Sequence, residues 1–471
     1  MYAFISFLAL LASSWVSEPE PTPFPKREFR ATWVASAYNI DWPSAKGLST
    51  EEQQAEFLQM LDQQQALGMN AIVVQVRAAG DAFYPSRLVP WSEFLTGTQG
   101  QAPDPYYDPL AFMIEACHER NLEFHAWFNP FRGISHVRFS SVAQHNPLLR
   151  NAEWTFLYGE TRFLDPGNPA VQDHLTEVIC EVLRGYDLDG VHFDDYFYPY
   201  RKNGQPIPDG ASFARYGQGY TQRDAWRRSN VDRFIERIAD SIQAIRPYVK
   251  FGVSPVGIWR NKDQDPLGSN SRVDQTAYDV LHADVRKWLQ LGWIDYVAPQ
   301  LYWSTEHPRA NYAELLPWWA DNSFGRHLYV GQALFKLKKD QNRYWHNPRQ
   351  LPAQLDLNRR YPQVKGSIFY SANAFRDNPH QVLQMLRRQR YRYPALVPGM
   401  QWKDSIPPLA PRELRILPHP EGAQLLWQGP ESAADEERAT YYVIYRYDRG
   451  AAISTHDPAN IVGIQRDSTW V

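Results

Sequence analysis

The sequence predicts an α/β fold: a (β/α)8 TIM barrel followed by a small C-terminal segment built like a β-sandwich. Three observations carry this reading. Between Phe29 and about Leu386, short β-prone apolar runs alternate strictly with longer amphipathic stretches, eight of each. Connections from a helical stretch to the next strand are short, whereas several that leave a strand are long. Beyond Tyr391 the alternation stops, and a proline-marked stretch gives way to short runs of period two. A doubly wound sheet is the competing topology, but it typically has fewer strands. With 471 residues, the chain has room for one large domain and one small one.

The elements follow in order. Met1 to Ser14 is a short apolar run ending in small residues, the pattern of a signal-peptide core and cleavage zone without its basic start. It is too short to span a bilayer comfortably. No Cys follows it, so no lipid anchor is indicated. Glu18-Pro19-Glu20-Pro21-Thr22-Pro23 reads as a stiff extended spacer. Export to a periplasm, cell envelope or extracellular space is the expectation. Strands are predicted at Phe29–Ser36, Ala71–Arg77, Leu122–Asn129, Gly190–Tyr198, Lys250–Gly257, Tyr296–Tyr302, Leu328–Phe335 and Gly366–Ser371. The helical stretches between them are Glu51–Leu67, Pro109–Arg120, Ala170–Arg184, Arg223–Ile245, Tyr278–Leu291, Tyr312–Asn322 and Pro348–Tyr361, with Pro379–Gln389 closing the set. The division is therefore 1–28 signal-like segment and spacer, 29–390 barrel, 391–410 linker and 411–471 sandwich-like segment.

Composition narrows the function. The 49 basic and 52 acidic residues nearly balance, and no long basic run offers a nucleic acid its electrostatic footprint. The 17 Trp and 27 Tyr suit a glycan cleft, because their faces stack on sugar C–H surfaces and their polar tips bond hydroxyls; they equally suit core filling. Cys117 and Cys180 lie in helical stretches and read as small buried hydrophobes. There is no phosphate-cradling Gly loop and no nucleophile-elbow serine, so no cofactor is expected. The expected partner is a polysaccharide, handled by a monomer.

Chemistry concentrates in Asp189-Gly190-Val191-His192-Phe193-Asp194-Asp195-Tyr196-Phe197-Tyr198-Pro199, where a β-prone run ends in two adjacent carboxylates ringed by aromatics. Folding gains little from such a pair, since acids are depleted in strands and like charges repel. Two close acids raise one pKa, and a protonated carboxyl beside an ionised one serves general acid catalysis. A salt-bridged or cation-binding pair is the alternative. In alternation, His192 and Asp194 share one side and Phe193 and Asp195 the other, a rule that relaxes at a strand's end. Other strand ends add polar groups aimed at the same face: Asp41; Gln75 and Arg77; His125, Trp127 and Asn129; Ser254, Trp259 and Arg260; Gln300, Tyr302 and Trp303; Gln332. Arg77 and Arg260 can either hold substrate carboxylates or lock the acid pair. No tight metal-ligand spacing occurs, although Asp194, Asp195 and His125 leave a site open. Long loops of roughly 40 residues after Asn129 and 20–25 after Tyr198 and Pro255 imply a deep cleft at the barrel's C-terminal face.

Several segments, in order, resemble glycosyl-hydrolase-like family 10: Arg30-Ala31-Thr32-Trp33-Val34-Ala35 with Asp41-Trp42-Pro43, His125-Ala126-Trp127-Phe128-Asn129-Pro130, Leu164-Asp165-Pro166-Gly167, Gly190 to Tyr198, Phe251-Gly252-Val253-Ser254-Pro255 with Trp259-Arg260-Asn261, and Ala298-Pro299-Gln300-Leu301-Tyr302-Trp303. The resemblance implies a (β/α)8 hydrolase, with members that include bacterial envelope enzymes cutting peptidoglycan glycan strands stripped of their stem peptides. A fibronectin type III-like tail also occurs in the family, and Leu425-Leu426-Trp427 with Tyr442 to Arg446 resembles one. Many retaining barrel glycosidases carry Glu after strands four and seven; this chain has Asp194-Asp195 and Gln332 instead. The pair is similar to that of hexosaminidases that use the substrate's 2-acetamido group as nucleophile. By that likeness Asp195 protonates the glycosidic oxygen, Asp194 orients the acetamido nitrogen, Tyr302 holds its oxygen, and Trp127, Trp303 and Tyr196 stack on sugars. In the rival scheme Asp194 is nucleophile or base, and Glu306 or Asp41 is a distant acid. A glycosidase on another polysaccharide, or a non-catalytic glycan-binding barrel, is the alternative function.

Overall fold

A computed structural model describes residues 24–202, 204–435 and 439–470; the apolar N-terminal run and most of the spacer lie outside the described residues. Eight parallel strands close a barrel: β1 (Phe29–Val34), β2 (Ala71–Arg77), β3 (Glu123–Phe128), β4 (Gly190–Phe193), β5 (Lys250–Val253), β6 (Tyr296–Val297), β7 (His327–Gln332) and β8 (Val364–Tyr370). Each pairs with its neighbours in sequence, and β1 closes onto β8 with Phe29 opposite Gly366. This is the topology that the strand–helix alternation predicts.

The principal helices are α1 (Thr50–Ala66), α2 (Pro109–Glu119), α3 (Pro169–Gly185), α4 (Arg223–Ile245), α5 (Val285–Leu291), α6 (Tyr312–Asp321), α7 (Gln350–Asn358) and α8 (Val382–Met385). Local chemistry sets their starts. Ser49 and Glu52 form a capping box on α1, and Asp108 and Asn168 cap α2 and α3 ahead of a proline at the first helical position. The predicted helix from Tyr278 begins only at Val285. His282 takes a positive φ of 54°, and the Asp284 side chain accepts the Lys287 N–H as the cap. The last predicted helix is likewise broken, because His380 and Gln381 have left-handed backbones.

The barrel interior is a separate core of large rings. Phe29, Trp33, Trp127, Tyr296, Tyr329 and Ile368 fill it, and Met400 closes the lower end. Glycines make the room: a Cβ on Gly252 would stand 1.9 Å from the Tyr296 ring, and one on Gly190 would stand 2.4 Å from His125. The outer faces pack on the helices, as where Phe193 of β4 stacks on Phe234 of α4 at 5.8 Å.

Residues 391–410, read from sequence as a linker, run beneath the barrel as its floor. Leu396 exchanges backbone bonds with Lys26 and Glu28, and Trp402 Nε1 donates to Asp295 at 2.8 Å. The long segment after Asn129 holds a three-stranded antiparallel sheet, Arg132–Ile134, Thr155–Tyr158 and Thr161–Leu164, absent from the sequence reading. The C-terminal segment forms two small antiparallel sheets, Arg412–His419 with Gly422–Gln428 and Thr469–Trp470, and Tyr442–Tyr445 with Ile461–Gln465. Cys117 and Cys180 are free and buried. Among the described residues no helix is long and apolar enough to cross a membrane.

Candidate active site

Strand β4 ends at Phe193, so Asp194 and Asp195 both stand past the last ladder bond, at the C-terminal mouth. Free of strict alternation, the two carboxyls turn to the same region. Asp194 is 4 % exposed and Asp195 5 %. Asp194 Oδ2 accepts from Trp127 Nε1 at 3.1 Å and Asn129 Nδ2 at 3.2 Å, and Oδ1 accepts from the Tyr196 N–H at 3.2 Å. Asp195 accepts from the Tyr200 hydroxyl and from Gln300, whose amide also donates to the Ser254 carbonyl at 3.0 Å. Burial, reinforced by the Asp195 charge, pushes the Asp194 carboxyl up to about 7. Burial also raises Asp195. Near neutral pH Asp194 therefore retains a share of protons that exposed aspartates have lost, and the pair can both donate and accept one. The Tyr200 hydroxyl is held far above its ordinary range by burial and by Asp195, so it keeps its proton.

Beneath the pair a chain of side-chain bonds runs down the barrel axis. Trp33 Nε1 can only donate, and it donates to His192 Nε2 at 3.2 Å. That fixes the proton of a neutral His192 on Nδ1, which donates to the Tyr296 hydroxyl at 2.9 Å. Tyr296 then donates to His125 Nδ1 at 2.8 Å, and His125 Nε2 meets Glu123 at 3.2 Å. Burial holds His192 far below its ordinary pKa, consistent with neutrality.

The structure brings together Trp127, Asn129, Asp194, Asp195, Tyr196 and Gln300. Tyr302 joins them, close enough to feel the Asp195 charge, and packs against Phe335 and Tyr370. Trp303, partly exposed, lies on the same loop.

Other expectations are corrected. His125 is fully buried, with both ring nitrogens engaged within the barrel, so it neither binds substrate nor joins the acids around a metal. Arg77 is buried, and its Nη1 donates to the Asn129 and Pro130 carbonyls at 2.7 and 3.0 Å. Arg260 is paired with Asp265 and Asp279. Asp41 is an anchor of the first loop, accepting from the Ala35 N–H, the Ser371 hydroxyl and the Asn373 N–H. Trp259 stacks on Trp318 and donates to Asp284 at 3.1 Å, which leaves it a packing role. Gln332 turns outward to Tyr312 of α6 at 2.9 Å rather than into the mouth. Among the described residues no group of three or more His, Cys, Asp or Glu converges on a metal position.

Three residues at this site escaped the sequence reading: Tyr200, Tyr370 and Arg132. The Arg132 guanidinium lies 4.6 Å from the centre of the Tyr196 ring and acts on both acids. Its position just past Asn129-Pro130 was the available signal.

The chain thus combines a parallel eight-stranded barrel with a buried acid pair and aromatic rings at its C-terminal mouth. Comparison with known proteins gives the family. The glycosyl hydrolase-like 10 model matches residues 28–347, and the chain belongs to that family. Over 424 residues it is 45 % identical to the glycosyl hydrolase YngK of Bacillus subtilis (strain 168), covering 89 % of this chain and 83 % of that one. It is 36 % identical over 375 residues to the glycosyl hydrolase DigH of Escherichia coli (strain K12), covering 75 % of this chain and 84 % of the relative. Among solved structures it is similar to the PgaB (BpsB) glycoside hydrolase domain from Bordetella bronchiseptica, at 14 % identity and a TM-score of 0.46, over 77 % of this chain and 99 % of that domain.

Proposed function

We propose that this protein is an exported glycosidase that hydrolyses N-acetylated polysaccharide, namely peptidoglycan glycan strands free of stem peptides. The observation that carries the reading is the unequal solvation of two neighbouring acids. Asp194 is surrounded by three N–H donors, which suits a group that must carry negative charge as the reaction proceeds. Asp195 takes its bonds from a tyrosine hydroxyl and an amide, and a hydroxyl can turn to accept when the acid holds its own proton. In the resting site burial keeps the shared proton on Asp194. The acetamido N–H of a bound sugar adds a fourth donor to Asp194 and drives it to the ionised form, which leaves Asp195 as the acid: its proton passes to the glycosidic oxygen as the C1–O bond breaks. The acetamido carbonyl oxygen forms the new bond to C1, while Asp194 accepts the acetamido N–H and balances the positive charge that develops. Asp195, now ionised, takes a proton from the water that opens the ring. Tyr302 holds the acetamido oxygen, and Trp127, Trp303 and Tyr196 supply stacking faces. The second carboxylate of a two-acid scheme has no support at strand β7, because Gln332 faces α6.

The test is turnover on purified peptide-free glycan strands by the wild type, Asp194→Asn and Asp195→Asn, with folding checked by circular dichroism. Each substitution is expected to lower kcat by at least about 100-fold, the usual scale for an acid catalyst or a charge-stabilising group. Near-normal turnover in both folded variants would remove the pair from catalysis. Binding without any product from the wild type would make the barrel a glycan-binding protein.

A further inference from the structure

Arg132 places a cation at the mouth, beside the two acids and over the Tyr196 ring. It begins the short strand Arg132–Ile134, which pairs with Thr161–Leu164 and opposes Phe163. The backbone leading into it is fixed twice over: Phe131 is fully buried, and Arg77 clamps the carbonyls of Asn129 and Pro130. The side chain is only partly exposed and lies against Tyr196, ring and hydroxyl together. Its charge reaches Asp194, Asp195, Tyr196 and Tyr370, which places it within the mouth. Yet among the described residues no carboxylate stands at salt-bridge distance from it. The other two arginines considered for this role are occupied elsewhere, Arg77 by carbonyls and Arg260 by two aspartates.

A guanidinium with one face on an aromatic ring keeps its edge donors available, and their fork matches a carboxylate. The partly desolvated setting strengthens such a bond relative to one in water. We infer that Arg132 is a subsite for an anionic substituent of the substrate, a carboxylate carried by a sugar next to the bond that is cut. This rests on the reading of the mouth as a glycosidase site acting on peptide-free strands. It adds the recognition element: a muramic acid residue without its stem peptide bears a free lactyl carboxylate, whereas one with a peptide bears a neutral amide at that place. Arg132 then distinguishes the two by charge, before any steric effect of the peptide.

The experiment compares one glycan in two forms, with its lactyl carboxylates intact and with them chemically reduced to alcohols. The wild-type protein, Arg132→Gln and Arg132→Lys are assayed on both. The wild type is expected to show a kcat/KM at least about ten-fold higher on the carboxylate form, the scale of one charge-assisted bond. Arg132→Gln is expected to abolish that preference: the lost charge can lower the rate on both forms through the acids, but the ratio of kcat/KM between the carboxylate and reduced forms falls to about one. Arg132→Lys should restore part of it, keeping the charge without the fork. If the wild type cleaves both forms equally, or Arg132→Gln depresses both by the same factor, Arg132 only supports the acid pair and the inference falls while the glycosidase reading stands. If the wild type cleaves neither form, both fall.

Discussion

Three N–H donors favour the ionised form of Asp194, while burial and the adjacent Asp195 oppose it, and the opposing influences win because the carboxyl sits at about 7. The raised pKa has a consequence for stability. In the unfolded chain Asp194 releases its proton near 3.8, but the folded protein keeps it until about 7. The folded state therefore binds more protons across that interval, and stability falls as the pH rises through it. Part of the displacement comes from the Asp195 charge, so Asp195→Asn should flatten the decline. Urea unfolding at about pH 4.5 and 7.5 should show the variant losing less stability than wild type between the two, by on the order of 1–2 kcal/mol. Equal declines would show that the two acids do not influence each other. The same coupling explains why the site was legible: an acid pair at the end of a β-prone run does nothing for a strand, so its type and place alone pointed to chemistry. Arg132, by contrast, is an ordinary arginine in sequence, and only the fold shows it over Tyr196.

At the scale of elements, the strand order was readable because parallel barrel strands are buried on both faces and appear as continuous apolar runs. The ends were not. The run Gly190–Tyr198 looks uniformly β-prone, but the ladder stops at Phe193; Tyr296–Tyr302 keeps only Tyr296–Val297 in the strand, with Gln300 making isolated bridges. Polar residues on these strands also misled, since His125 lies inside the barrel and Gln332 faces a helix, a distinction that depends on depth and side rather than residue type. The interior depends on glycines that rings cross. Gly252→Ala would drive a methyl into Tyr296, whose hydroxyl links His125 and His192, so the cost should be about 2–4 kcal/mol in the urea midpoint analysis. Gly185→Ala is the control: nothing stands within 4 Å of its Cβ, and the last turn of α3 should tolerate it or gain slightly. A similar loss in both variants would mean that the crossing rings carry no special constraint.

For the whole molecule, the question is where the barrel ends. Composition marked 391–410 as a linker because prolines recur there, but prolines equally suit a strap that needs few backbone donors. The strap is joined to the barrel's first strand and floor: Arg30 Nη1 donates to the Tyr393 carbonyl, Asn70 Nδ2 to the Ala395 carbonyl, the Glu28 N–H to the Leu396 carbonyl, and Trp402 Nε1 to Asp295, which also meets Lys403 at 3.0 Å. Met400 is buried in the same core as Phe29 and Tyr329. The segment beyond 411 is different in kind. Its strand Arg412–His419 is exposed along almost its whole length, and its ion contact to the barrel floor is Arg466 with Asp189 at a loose 3.9 Å. Two truncations separate these roles. A chain ending at Ala410 should keep the barrel folded, with a melting temperature within a few degrees of the full chain, because it loses little that the barrel buries. A chain ending at Tyr391 forfeits these hydrogen bonds and the Leu396 N–H bond to the Lys26 carbonyl, worth about 1 kcal/mol each, and the burial of Met400, worth about 2 kcal/mol more. It should lose on the order of 7 kcal/mol, enough to unfold many domains of marginal stability. Thermal unfolding of the two proteins decides the matter: if the shorter one melts with the longer, the strap is a linker after all, and the floor of the barrel closes without it.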